Sequence, residues 1–163
     1  MIVPLLSICG DNEINLMPVI DVTYPAGALS HEAQEAVAAQ LTDILMEIEG
    51  TKGIAAIAAG TWLLLHEAAP NTIAVGGKFS PGRYRVEIAT PAGVLNMAQK
   101  AELIRRVTDA LLKIIGVEPD DAQRARIYCL VDEVPDGGWG FAGIAITREY
   151  SAARRKELAQ GQS

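Results

Sequence analysis

The chain has 163 residues, of which 50% are hydrophobic and 21% charged, and its net charge is −6. That suits one ordinary domain with a real core and excludes a disordered tail. The acidic balance argues against nucleic acid, whose phosphates need a basic face, and no apolar run approaches the roughly 18 residues of a membrane-crossing helix.

The opening segment Met1–Cys9 is apolar but has no positive flank and no small-residue cleavage pattern, so it does not read as a secretory signal. Cys9 and Cys129 are too few for a disulfide framework, so a reducing compartment, the cytoplasm, is expected. Met17-Pro18 directly precedes the first predicted strand, Val19–Tyr24, which is rich in β-branched residues. Pro25 and Gly27 break it. Ser30 is a helix N-cap signal, with Leu29 before it as a staple and Glu32 in the first turn. Val37, Leu41, Ile44, Leu45 and Ile48 then follow at helical spacing, and Gly50 stops the helix. A second strand is predicted over Thr61–Glu67, then a turn and a short strand, Ile73–Val75.

From here the chain repeats itself at an offset of 66 residues, without a gap. Tyr24-Pro25-Ala26-Gly27 returns as Thr90-Pro91-Ala92-Gly93; Gly50 returns as Gly116, Glu67 as Glu133 and Gly77 as Gly143. The second copy predicts a strand at Arg85–Ala89 and a helix capped by Asn96. Leu103, Val107, Leu111 and Ile114 form its stripe, and a second strand is predicted over Arg126–Glu133. Gly137-Gly138-Trp139-Gly140 leads into another strand, Phe141–Ile146, so it is a turn and not a phosphate loop. The tail, Ser151–Ser163, is polar.

Each copy is a strand–helix–strand crossover. The expectation is an α/β fold in which two βαβ repeats, 18–82 and 83–150, share one four-stranded sheet with both helices on one face. Residues 1–17 form an upstream extension and 151–163 a polar C-terminal tail. Trp62-Leu63-Leu64-Leu65 and Ile127-Tyr128-Cys129-Leu130-Val131 are apolar on both faces, and nothing in the sequence supplies a third layer. Self-association is the expected cover.

The chemical inventory is thin. His31 and His66 are the two histidines, and no Cys/His/Asp cluster has metal-ligand spacing. His66-Glu67 and Asp132-Glu133, at equivalent places, read as surface packing. Pro18 is the exception. Were Met17 the initiator and then removed, Pro18 would carry a free secondary amine, an uncharged base near neutral pH when buried.

Met17-Pro18-Val19-Ile20-Asp21-Val22, Gly27, Ser30, Glu67, Ile73-Ala74-Val75-Gly76-Gly77, Arg126–Glu133 and Trp139–Gly143 together resemble the tautomerase superfamily, typified by 4-oxalocrotonate tautomerase and macrophage migration inhibitory factor. The resemblance covers Pro18 to about Thr147 and is greatest to members in which two short units are fused. It implies keto–enol tautomerisation of a small carbonyl compound, a homotrimer, and no cofactor or metal. It implies Pro18 as the general base and Tyr128 as the residue stabilising an enolate oxygen; Arg126 stands at no family arginine position but, two residues before Tyr128 on the same strand face, is expected to assist it. Trp139 falls at the family's aromatic wall; Trp62, which would help to exclude water, and Arg85, a nearby cation at no family arginine position, are expected to line the substrate as well. Ala28 and Val94 stand where the short tautomerases have an arginine, which favours an uncharged or monocarboxylate substrate.

Residues 1–16 lie outside the repeat. If retained, they make Pro18 nitrogen an amide, which has no basic lone pair. Two readings follow: an enzyme whose chain starts at Met17, or a non-catalytic oligomeric binding protein with Pro18 blocked.

Overall fold

The computed structural model describes residues 18–141 and 143–160. The upstream extension, with Cys9 and Met17, lies outside the described residues. Strand β1 (Val19–Pro25) leads to helix α1 (His31–Glu49), a short helix α2 (Ala55–Gly60) and strand β2 (Trp62–Ala68). A small ribbon follows, β3 (Ala74–Val75) with β4 (Lys78–Phe79). The second half repeats the order: β5 (Tyr84–Pro91), α3 (Met97–Ile114), the single turn α4 (Asp121–Arg124), β6 (Ile127–Val134), and a ribbon of β7 (Trp139–Phe141) and β8 (Ile144–Ile146). Helix α5 (Arg148–Gln160) closes the chain.

The sequence repeat is a structural repeat down to single hydrogen bonds. Ser30 Oγ accepts from Ala33 N at 3.2 Å, and Asn96 with Gln99 forms a reciprocal capping box. Both helices end in one motif. Gly50 N donates to Glu47 O and Thr51 N to Met46 O; Gly116 N donates to Lys113 O and Val117 N to Leu112 O. This closure needs a left-handed residue, and Gly50 (φ 71°) and Gly116 (φ 75°) supply it without a Cβ penalty. Glu67 Oε1 accepts from Gly27 N at 2.6 Å, and Glu133 Oε1 from Gly93 N at 2.9 Å. The matched Glu and Gly pairs are thus clamps from the end of each second strand to the turn after each first strand. A carboxylate is the stronger acceptor for an N–H.

The sheet order is β2-β1-β5-β6. Each crossover pair, β1·β2 and β5·β6, is parallel, and the two halves join through an antiparallel β1·β5 pair. Asp21 and Glu87, equivalent in the repeat, face each other there, so the halves are related by an approximate two-fold axis between them. Both helices pack on one face, over Ile20, Val22, Val86 and Ile88, all fully buried. Leu41 and Leu45 of α1 and Leu103, Val107 and Leu111 of α3 fill the layer between. Side chains alternate across a strand, so the opposite face carries the other set.

That second face is not uniformly apolar, which refines the expectation. On the outer strands Trp62 is 59%, Leu64 38%, Tyr128 81% and Leu130 43% exposed. The inner strands bear Asp21, hydrogen-bonded to His66 Nε2 at 2.5 Å, and Glu87, paired with Arg85.

Three other details differ from the sequence reading. Phe141–Ile146 is not one strand; Gly143, at φ 78°, turns it back on itself as β7 and β8. The links before the second strands contain helical turns, α2 and α4, too short to show a period. The polar tail begins in α5 at Arg148, so the boundary at 151 falls inside a helix.

Candidate functional site

The antiparallel inner pair decides where the site residues go. Pro18 heads β1, and Val19 pairs with Ala89 near the end of β5. Its repeat equivalent, Tyr84, heads β5 at the opposite edge. The expected site residues therefore separate into two groups.

Pro18 is buried, and its carbonyl accepts from Trp62 N at 3.2 Å. Trp62 also pairs with Val19 in the parallel register, so the indole lies beside the start of β1 on the open face. Thr90 is at the same level, fully buried, and its Oγ1 has no hydrogen-bond partner among the described residues. The sequence analysis missed Thr90. A threonine in a strand is unremarkable, and only burial shows an orphaned hydroxyl.

Tyr128 is at the other end. It pairs with Arg85, which pairs with Thr23 of β1. Five residues along β1, about 16 Å, and two strand spacings, about 10 Å, separate it from Pro18. Within one chain, Pro18 and Tyr128 do not share a pocket.

A cleft of about 250 Å³ does form around Tyr128, lined also by Thr23, Ile73–Val75, Arg83, Tyr84, Arg85, Ala125 and Arg126. Arg126 lies over the Tyr84 ring at 5.9 Å from its centroid, donates from Nε to Gly82 O at 2.9 Å, and from Nη1 to Gln123 Oε1 at 2.7 Å. Arg83 Nη1 donates to Ala125 O at 3.0 Å. Burial pushes the Tyr84 phenol up, partly offset by the Arg126 charge, so it is a protonated donor at neutral pH. Cys129, on the adjacent strand, is no nucleophile, since burial pushes its thiol up to about 12. Trp139, in β7, is not among the lining residues of this cleft. Among the described residues no group of three or more His, Cys, Asp or Glu could hold a metal ion.

Residues 86–148, nearly the whole second repeat, match the model of the tautomerase enzyme family. The second repeat is thus similar to the tautomerase family. The fold of the chain is that of the fused two-unit tautomerases. A fused 4-OT solved as an asymmetric trimer superposes with a TM-score of 0.67 at 20% identity, over 83% of this chain and 98% of that one. A member of the cis-3-chloroacrylic acid dehalogenase family gives 0.66 at 16% identity, over 87% and 99%. Macrophage migration inhibitory factor of Toxoplasma gondii gives 0.57 at 13%, over 77% and 96%. No curated protein sequence matches the chain significantly. The family match falls on the repeat that lacks the proline; the repeat that carries it is recognised through the fold and the offset of 66.

Proposed function

We propose that this protein of tautomerase fold isomerises small enolisable carbonyl compounds in the cytoplasm, using the free secondary amine of Pro18 in a mature chain that begins there. The observation that supports this reading is the place of Pro18. It is the buried head of β1 in a tautomerase fold, beside an exposed tryptophan.

A free α-amino group ordinarily titrates near ~7.7–8.0, and burial disfavours its cation. The neutral amine takes a proton from the carbon next to the carbonyl. The C–H electron pair moves into the enolate, and the ammonium returns the same proton to oxygen or to another carbon. Atoms and electrons balance without redox, metal or cofactor. Trp62 limits water at the amine. The hairpin residues Ile73–Val75, which line the cleft beside Tyr84, map through the offset of 66 onto Trp139–Phe141 and Pro18, so Trp139 serves as the second wall.

Tyr128 lies too far from Pro18 in its own chain, so its role requires a neighbouring copy. In a homotrimer covering the open sheet face, Tyr128 of the partner subunit donates to the developing enolate oxygen. Arg126 and Arg85 are held by Gly82, Gln123 and Glu87, and this reading gives them no catalytic step.

The test is Pro18→Ala in the matured protein, assayed on phenylpyruvate and 2-hydroxymuconate. General-base catalysis is worth about 10²- to 10⁴-fold, and a loss of that size in kcat/KM is expected. Equal rates would overturn the mechanism. The 17 residues ahead of Pro18 favour the second reading, an oligomeric binding protein whose proline nitrogen stays an amide.

A further inference from the structure

We propose that the cleft beside Tyr84 is a second ligand site, one without a catalytic base, that takes a small organic carboxylate with a flat apolar body. It shares Tyr128 with the proposed active site but is argued from Arg83, Tyr84 and Arg126, without reference to the chemical state of Pro18.

The first observation is charge. The chain has 20 acidic and 14 basic residues, so carboxylates are in excess. Arg85, Arg105, Arg106 and Arg124 each have a carboxylate partner. Arg83 and Arg126 have none among the described residues, and both line the same cleft. Their hydrogen bonds go to neutral acceptors. The two bonds also cross. Arg83 reaches the carbonyl of Ala125, next to Arg126, while Arg126 reaches the carbonyl of Gly82, next to Arg83. Each guanidinium is thereby fixed in place without being neutralised. A guanidinium has five N–H donors, so both keep donors for an anion.

The second observation is the unused donor. Tyr84 is 6% exposed as a residue, yet its hydroxyl is not among the buried atoms that lack a partner, so it opens to the cleft. A hydroxyl that faces an open cleft can exchange its water for a ligand oxygen. The Tyr84 phenol donates to an acceptor oxygen, which the ligand supplies. The third observation is the lining. Ile73, Ala74 and Val75 make the other wall apolar. A volume of about 250 Å³ is below the range of drug-sized sites and suits a small aryl or short-chain acid. Where the first repeat has a proline, this one has Tyr84, so the site binds and does not take protons from carbon.

The experiment is calorimetric titration of the full-length protein with benzoate, with benzamide as the neutral control. The expected result is one saturable benzoate site per chain, no measurable benzamide binding, and weakening in high salt. Arg83→Gln and Tyr84→Phe each weaken benzoate at least several-fold, and Pro18→Ala leaves it unchanged. Arg126→Gln also weakens it, and Arg126→Lys, which keeps the charge, weakens it less. Circular dichroism checks that each variant is folded. Arg126 contacts Gly82 and Tyr84, so a misfolded Arg126→Gln leaves Arg83→Gln and Tyr84→Phe to decide. No saturable binding would overturn the proposal, as would equal affinity in folded Arg83→Gln. Loss of binding in Pro18→Ala would place benzoate at the proline and overturn it too. Inorganic phosphate binding more tightly than benzoate would overturn the ligand class.

Discussion

Thr90 shows what a single residue can reveal. It lies at the level of Pro18 with a buried hydroxyl that has no partner among the described residues. An unsatisfied buried group costs about 1–3 kcal/mol, and valine has nearly the same shape without the hydroxyl. Thr90→Val is therefore expected to raise unfolding stability by about 1 kcal/mol in denaturant titration. A loss of stability would mean that the hydroxyl has a partner in solution. At this scale the sequence was informative about Pro18 and the Glu–Gly clamps, because each is a residue type at a fixed distance from a strand end. It was silent on which of Arg83, Arg85 and Arg126 stand free. That depends on where Glu87, Gly82 and Ala125 are brought by packing, and these lie on separate segments.

At the scale of elements, α1 and α3 are tied by more than their apolar stripes. Glu47 of α1 pairs with Lys52 and reaches across to Arg106 of α3. Gln99 of α3 donates to Ile48 O of α1 at 3.0 Å. The Lys52 ammonium and then the Arg106 guanidinium hold the Glu47 carboxyl down to about 2. A carboxylate lowered in the folded state stabilises above its ordinary range and loses that contribution as pH falls toward the folded value. The pairs are partly solvated, so the effect is modest. Wild type is expected to melt above Glu47→Gln at neutral pH, and the gap closes as pH falls from the ordinary carboxylate range to about 2. A gap that does not change with pH in differential scanning calorimetry contradicts the tie. Both long helices and all four sheet strands were legible, since helical spacing and β-branched runs are local signals. The direction of the β1·β5 pair was not. It is set where the two halves meet, and no local pattern encodes it. Because that pair is antiparallel, equivalent residues of the two copies, Pro18 and Tyr84, go to opposite ends, and with them the two halves of the expected site.

At the scale of the molecule, the open sheet face remains to be covered. Leu64 and Leu130 flank a charged centre of Asp21, His66, Glu87 and Arg85. Burying a leucine is worth about 1.5–3 kcal/mol, and a trimer would bury each three times. Leu64→Asp and Leu130→Asp are expected to shift a sedimenting trimer to smaller species. A wild-type mass of one chain would contradict the covered face, and a trimer indifferent to both substitutions would place the interface elsewhere. Only assembly can bring Tyr128 to Pro18.

The most direct test of the account is the intact mass and amino-terminal sequence of the protein purified from its own host. The account predicts a mature chain beginning at Pro18, with a free ring nitrogen. A chain still carrying the residues before Pro18 would have that nitrogen locked in a peptide bond and would contradict proton transfer by proline.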